Sequence, residues 1–335
     1  MGDKMKDFWK NLKLVIRKNY IIIFILSLVL GMELYELDYS VYSPGGLINV
    51  DERLSDHPYT SEGSFNMTYV TYRKGSIMNL IIAKFLPTFD IIDNEDITLS
   101  NEDINDVMIR DEIQIRSAIS NATYMAYNKA GKKIEEVNGY NYVYYITPEA
   151  NTNLKVGDMV IACDGNEVKE MKEINECVTK HDAYDKVELK VVRNNKEITT
   201  TSYINQEKLI GIIIQRVIEY DIDPKITYRR DKNESGSSGG LMLSLSLYNA
   251  LVEEDITKGK KIAGTGTIEM DGSVGEISGV KYKIKGAVKN KVDLFIVPEA
   301  NYEEAIQVIE ENNFDLKLLK ASTFDQVLED LKSLN

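Results

Sequence analysis

The sequence predicts an N-terminal transmembrane helix, then an α+β module, then a C-terminal α/β domain. An uncharged apolar run lies close to the N-terminus. Short alternating strands separated by turn residues occupy residues 132–205. Beyond residue 205 strands and helices alternate along the chain, which is the pattern of an α/β domain. The length of 335 residues agrees with two or three domains.

Composition excludes several functional classes. The net charge is −13, and a phosphate backbone needs a basic surface, so nucleic acid is not expected as the main partner. The two cysteines, Cys163 and Cys177, are too few for a disulfide scaffold or a four-cysteine zinc site, and we expect two buried thiols rather than a bridge. His57 and His181 are the only histidines. We expect neither a metal nor a cofactor.

The N-terminus predicts a single-pass membrane anchor. Residues 1–19 form a basic leader, because six basic and two acidic residues lie among the first 18. The uncharged run Tyr20–Met32 is extended by neighbouring residues to an anchor over 20–37. Positive charge favours the cytoplasmic side, so the rest of the chain is expected outside the cell membrane. A cleaved signal peptide and a buried core helix are alternatives, but small residues do not follow the run.

Residues 38–131 are predicted to be an extracytoplasmic segment that ends in a helix. Residues 43–47 predict a turn, and the alternation over Met67–Tyr72 predicts a strand. Apolar residues then recur at helical spacing before Gly131 stops the helix: Ile115, Ala118, Ile119, Ala122, Met125 and Ala126.

Residues 132–205 resemble a PDZ domain of the kind associated with bacterial proteases. The resemblance rests on LKVGDMVIACDGNEV, which begins at Leu154, and on VELKVVRNNKEI, which begins at Val187. It implies a groove that binds an extended peptide as an added strand. We place that groove near Gly139, Tyr140, Asn141 and Tyr142. The alternative is a module that only gates or spaces its neighbour.

Residues 206–335 predict the α/β domain in detail. Leu209–Arg216 and Lys225–Arg229 are predicted strands, and Leu241–Val252 is a predicted buried helix. Asp271-Gly272 predicts a hairpin. The remaining elements are a helix from Val280, a strand over Val292–Val297, a helix over Tyr302–Asn312, a strand over Leu316–Leu319 and a helix over Phe324–Leu331.

A run of small residues, Glu234–Met242, comes directly before the predicted buried helix. A serine there lies at a helix N-terminus, where backbone N–H groups can stabilise an oxyanion. A flexible linker with a capping serine is the alternative. A base is also needed, and both histidines are expected in solvent. A buried lysine with a lowered pKa can serve instead, and four follow the hairpin: Lys281, Lys283, Lys285 and Lys289.

The segments SGSSGGLM and IAGTGTIEMDGSVGEISGVKYKIKGA resemble the proteolytic domain of Lon, most closely the membrane-anchored, PDZ-bearing Lon-like peptidases of Gram-positive bacteria. The resemblance implies that Ser238 is the nucleophile, that Lys283 is the base and that Thr265 hydrogen-bonds the lysine. In the family motif G-P-S-A-G, the first glycine is matched by Gly236. Ser237 and Gly239 replace the proline and the alanine, which loosens the loop and makes Ser237 a competing hydroxyl.

These features predict a membrane-anchored serine endopeptidase with a Ser-Lys dyad, acting on peptides or exposed protein segments outside the cytoplasmic membrane. The sequence contains no G-x-x-x-x-G-K-[S/T], so ATP is not expected to drive it. A homo-oligomer is possible, since Lon-like domains often form rings. The alternative function is a non-catalytic PDZ adaptor with a decayed Lon-like domain. GSSGGLM is also similar to the serine motif of trypsin-like enzymes, but those carry the PDZ domain after the protease.

Overall fold

The structure, a computed structural model, describes residues 2–55, 57–86 and 88–334. It divides into two compact units, Met1–Ser43 with Thr71–Ile97, and Pro44–Val70 with Thr98–Asn335. Strands β1 (Glu36–Asn49) and β2 (Ser64–Ser76) each begin in one unit and end in the other.

The first unit contains the long N-terminal helix α1 (Gly2–Leu34). Its Trp9–Leu34 part is long and apolar enough to cross a membrane, and none of its most apolar stretch is buried by protein. Asn19 interrupts the helical backbone with φ −120° and ψ 18°, and its side-chain amide donates to the carbonyl of Val15 at 2.9 Å. The interruption therefore lies at the junction between the basic leader and the apolar run. This helix is a candidate membrane span.

Helix α2 (Ile77–Phe85) and strand β3 (Asp90–Asp93) complete the first unit. The first part of β1 pairs antiparallel with β3, with Tyr39 opposite Asp93. The turn predicted at residues 43–47 is wrong, because these residues continue β1. Gly45 instead allows the backbone of β1 to lie close to Tyr69 on β2, because a Cβ at this glycine would lie 2.3 Å from the carbonyl oxygen of Tyr69.

The C-terminal α/β domain is built on a largely parallel sheet in the order β12-β11-β10-β2, with β1 beside β2. Phe65 on β2 lies opposite Ile262 on β10, in parallel register. Part of the N-terminal segment predicted over 38–131 therefore belongs to this sheet. The new elements are β10 (Lys261–Gly264), α6 (Val280–Lys289), β11 (Leu294–Pro298), α7 (Tyr302–Asn312), β12 (Leu318–Ala321) and α8 (Phe324–Lys332).

Two helices pack together in the core of this domain. Helix α5 (Gly240–Leu251) is buried along its whole length, which confirms the predicted buried helix. Helix α3 (Ile104–Lys129) begins at an Asp103 capping box and packs its small and apolar residues on α5. Burial of apolar area at about 25 cal/mol per Å² drives this pairing.

The middle module is an antiparallel sheet in the order β8-β7-β5-β4-β9, with α4 packed on it. Its elements are β4 (Lys133–Ile146), β5 (Met159–Cys163), β6 (Asn166–Glu167), α4 (Met171–Val178), β7 (Lys186–Arg193), β8 (Lys196–Tyr203) and β9 (Ile212–Asp223). Strands β4 and β9 pair from Lys133–Asp223 to Ile146–Ile212. The sheet thus continues past residue 205, where we predicted the boundary.

Three further expectations differ from the structure. Residues 225–229 contain only an isolated bridge, between Tyr228 and Leu54. The segment around Gly272 is a turn without flanking strands, although Gly272 has the positive φ of 87° that the turn needs. Cys163 and Cys177 form a disulfide instead of two thiols, because packing of α4 on β5 brings them together.

Candidate active site

The loop that leads into α5 carries the predicted nucleophile. Gly236 has φ +80°, and its N–H donates to the carbonyl of Asp111 on α3 at 3.0 Å. Two residues later, the carbonyl of Ser238 accepts a hydrogen bond from Gly266 N–H at 2.8 Å. The N–H of Gly240 donates to Ser237 as the helix begins. The loop is therefore held on both sides, and Ser238 lies half-buried just before the helix N-terminus.

A buried lysine is joined to this loop through a threonine. The Lys283 side chain lies on α6 with only 3% of the residue exposed. Its Nζ donates to Thr265 Oγ1 at 3.0 Å, and the Thr265 hydroxyl donates to the carbonyl of Ser238 at 3.0 Å. Thr265 is fully buried at the end of β10. The structure thus brings together the three residues that the resemblance assigned to the site.

Burial lowers the pKa of Lys283 from 10.5 to about 7, while the carboxylate of Glu304 acts in the opposite direction. A neutral amine is therefore populated near neutral pH, and such an amine can accept a proton from a hydroxyl. The neighbouring lysines differ: Lys281 and Lys289 are exposed and Lys285 is half-buried. The Lys281 Nζ atom instead lies 4.9 Å from the centroid of the Tyr282 ring, in a cation–π contact.

Gly239 and Ser237 differ from the family motif, and the structure shows what each of them contacts. A Cβ on Gly239 would lie 2.9 Å from Met67 Sδ, so the absence of a side chain lets Met67 reach the loop. Ser237 uses its carbonyl to accept from Gly240, which a proline at this position would also allow.

An ion pair anchors the start of the loop, and sequence reasoning missed it. Arg53 hydrogen-bonds Glu234, whose second carboxylate oxygen accepts from the Tyr228 hydroxyl at 2.9 Å. Burial and the Glu234 charge raise the pKa of Tyr228, so this hydroxyl remains a donor. Arg53 lies far from Glu234 in sequence, and no local pattern connects them.

Helix α3 supports the same loop from the other side. Besides the bond to Gly236, its Glu112 carboxylate accepts from Arg230 at 3.0 Å. Its Asn121 amide donates to the carbonyl of Ile268 at 3.0 Å. Burial raises the pKa of the Asp111 carboxyl. The helix thus contacts the backbone on both sides of Ser238.

The two histidines are engaged outside the site, although both are half-buried rather than in solvent as we expected. The His57 ring hydrogen-bonds the carbonyl of Tyr59, and His181 Nε2 lies 2.6 Å from Asp164 Oδ2 in the middle module. Cys163, Asp164 and Cys177 lie close enough to share an ion. Their two sulfurs are bonded to each other, however, which removes both from the set of metal ligands.

The peptide groove predicted at Gly139, Tyr140, Asn141 and Tyr142 is wrong. These residues lie on β4, an interior strand of the sheet. Asn141 and Tyr142 pair with β5 on one side and with β9 on the other, so their backbone is already satisfied. A Cβ on Gly139 would lie 2.4 Å from the Arg216 guanidinium, which covers this glycine.

The outer strands of this sheet are β8 and β9, and β9 is the one beside β4. Ser120 Oγ donates to the carbonyl of Ile218 and accepts from its N–H, which shows that the Ile218 backbone faces away from β4. Strand alternation then directs the backbone groups of Ile212, Ile214 and Arg216 outward as well. The Arg216 carbonyl already accepts from the Gln215 side-chain amide, which also donates to Ser117 on α3. Residues 212–214 are therefore the part of β9 that has an edge for an added strand.

Comparisons with known proteins agree with both domain assignments. Residues 231–333 match the family described as the Lon protease (S16) C-terminal proteolytic domain, and residues 128–202 match the PDZ domain family. The chain therefore contains a Lon-type proteolytic domain and a PDZ domain, preceded by the candidate membrane helix.

Several relatives are similar over part of the chain. The Lon protease of Mesomycoplasma hyopneumoniae (strain 232) is 27% identical over 96 residues, which are 29% of this chain and 11% of the relative. The archaeal Lon protease of Halobacterium salinarum is 30% identical over 143 residues, 37% of this chain and 20% of the relative. The chain thus matches a fifth or less of these two proteins.

A solved structure is similar to part of the chain. The PDZ domain of the SdrC-like protein from Listeria monocytogenes is 21% identical, and the match covers 23% of this chain and 88% of that one, with a TM-score of 0.21.

Proposed function

We propose that this chain is a membrane-anchored serine endopeptidase in which Lys283 is the general base for Ser238. The observation that carries the proposal is the buried, hydrogen-bonded Lys283, whose pKa is lowered to about 7. Burial of a lysine amine costs free energy, and a buried lysine with a strongly lowered pKa is typical of a functional site.

The reaction follows the chemistry of a serine nucleophile. Neutral Lys283 takes the proton of the Ser238 hydroxyl as its oxygen attacks the scissile carbonyl. The N–H groups of Gly240 and Leu241 already donate to Ser237 and Gly266, so backbone N–H groups of the loop just before α5 stabilise the oxyanion that forms. The Lys283 ammonium then gives its proton to the departing amine, which leaves an acyl-enzyme. A water molecule, deprotonated by neutral Lys283, hydrolyses this ester, and Ser238 recovers its proton.

Thr265 orients the base. Its hydroxyl accepts from Lys283 and donates to the Ser238 carbonyl, so it links the positions of α6 and the nucleophile loop. We propose that the chain cleaves without ATP, since its sequence contains no P-loop. Its substrates are then peptides or protein segments that are already extended.

The proteolytic and PDZ domains are proposed to lie outside the cytoplasmic membrane. The basic leader before α1 favours a cytoplasmic N-terminus. The Cys163–Cys177 disulfide supports the same topology, because disulfides persist in oxidising compartments. The outer edge of β9 at residues 212–214 is proposed as the site where the PDZ domain adds a peptide strand.

Covalent labelling tests the catalytic assignment. The full chain in detergent is treated with a serine-directed acylating probe, beside the variants Ser238→Ala, Ser237→Ala, Lys283→Ala and Lys281→Ala. We expect label on the wild-type chain and on the Ser237 and Lys281 variants, and its loss from the other two. An unlabelled wild-type chain contradicts the proposal and favours a non-catalytic PDZ adaptor. Label that persists in Ser238→Ala assigns another nucleophile.

A further inference from the structure

An apolar face of α2 is left open in the first unit. Phe85 is 79% exposed, and Ile81 and Ile82, one turn before it, are exposed as well. Leu86, just after the helix, extends the same face. Ala83, on the opposite side, is only 5% exposed and packs inward. The apolar residues of this short helix are thus divided between a packed side and an uncovered side.

The helix begins where the candidate membrane span ends. Ser76 caps α2 by accepting from the N–H of Asn79, and its hydroxyl donates to the Glu33 carboxylate at 2.9 Å. Glu33 lies in the last turn of α1. The side-chain hydrogen bond therefore holds the first residue of the short helix beside the acidic end of the long one.

The uncharged part of α1 is short for a bilayer. Between Lys18 and Glu33 the rise of 1.5 Å per residue gives about 22 Å, whereas the hydrocarbon core is about 30 Å thick. A short span is accommodated by local thinning and by apolar surface at its ends. The open face of α2, directly beside Glu33, supplies such a surface.

Basic side chains stand next to this junction. Arg73 and Lys74 line a cleft together with Glu33, Glu36 and Ser76, and Lys84 on α2 is exposed. Lys74 Nζ lies 3.3 Å from the Glu36 carboxylate, so Arg73 and Lys84 are the cations that argue for lipid phosphates. Cationic groups around an apolar face are suited to lipid phosphates above buried acyl chains. This combination of charge and apolar exposure fits a lipid surface better than a second protein.

We propose that α2 lies in the membrane interface at the end of α1, with Ile81, Ile82, Phe85 and Leu86 inserted among the acyl chains. The chain then contacts the bilayer through two elements, a span and an interfacial helix. This inference rests on the proposed membrane anchoring by α1.

Depth-dependent fluorescence quenching tests it. The full chain, with Trp9→Phe to remove its single tryptophan, is reconstituted in bilayers that contain brominated lipids. Single tryptophans are introduced by Phe85→Trp on α2, by Leu28→Trp within the span and by Tyr184→Trp in the PDZ domain, at a residue that is 73% exposed. We expect Phe85→Trp to lose most fluorescence with bromines placed near the headgroup. Leu28→Trp should lose most fluorescence with bromines near the end of the lipid acyl chain, and Tyr184→Trp should keep its fluorescence.

The possible outcomes distinguish failure of the interfacial helix from failure of the membrane anchor. Quenching of Leu28→Trp without quenching of Phe85→Trp overturns the interfacial helix and leaves the anchor standing. If neither is quenched, the anchoring fails and the inference fails with it. An unquenched Phe85→Trp with blue-shifted emission also overturns the inference, since protein, such as a second copy of the chain, then covers the face.

Discussion

The Nζ atom of Lys283 lies 3.0 Å from the hydroxyl oxygen of Thr265, and that hydroxyl in turn donates to the Ser238 carbonyl. One residue therefore connects the buried amine to the loop of the proposed nucleophile. The same burial that costs stability keeps the amine neutral near pH 7.

The first prediction separates Lys283 from its neighbour. Lys283→Arg should lose about 10²–10⁴-fold in kcat/KM, because arginine keeps its charge and cannot act as a base. Lys281→Ala should stay close to wild type, since Lys281 is exposed on the same helix. Peptide hydrolysis by the full chain measures both. Substantial activity in Lys283→Arg would refute the assignment.

The second prediction concerns pH. Because the pKa of Lys283 is lowered to about 7, the amine is protonated below that pH and neutral above it. We therefore expect kcat/KM to rise about tenfold per pH unit on the acid side and to level off above about pH 7. A profile that rises only near the ordinary lysine value of 10.5 would show that burial does not tune this amine.

The third prediction addresses Thr265 as a positioning residue. Thr265→Val should lower kcat about tenfold through loss of the hydrogen bonds at the amine, and it should shift the acid limb of the pH profile. Thr265→Ser retains the hydroxyl and should recover most of the rate. A purely structural role for Thr265 would lower stability in both variants without moving the pH profile.

The fourth prediction concerns the loop anchor at Glu234. Glu234→Gln should lower kcat about tenfold, since Arg53 loses its charged partner and the start of the nucleophile loop is released. Arg229→Met is the control, because Arg229 instead donates to the carbonyl of Glu52. Equal effects of the two variants would argue against a specific anchor.

The fifth prediction tests the edge of β9. Ile212→Pro removes an outward N–H while leaving the bonds to β4, as prolines on edge strands do. We expect cleavage of long peptides to fall more than cleavage of short ones. Ile213→Ala, at an exposed neighbour whose backbone faces β4, should affect both lengths little. An equal loss for both lengths in Ile212→Pro would indicate a folding defect instead of lost strand addition.

Features that depend on local spacing could be predicted from the sequence alone. Apolar periodicity identified α3 and α6, the length and the lack of β-branched residues identified α5, and the small residues before α5 identified the Ser238 loop. The asparagine pair between β7 and β8 adopts the positive φ angles expected of a turn. Such patterns can be recognised in the sequence because a helix or a turn depends on residues only a few positions apart.

Tertiary structure decided what depends on pairing between distant segments. Only the fold puts β2 beside β10, joins Arg53 to Glu234 and makes β9 the outer strand of the PDZ sheet. It also leaves β4 paired on both sides, which removes the predicted groove. The physical reason is that alternation of residues marks a strand locally but does not say which strand pairs with it. The burial that shifts a pKa likewise depends on segments that are distant in the sequence.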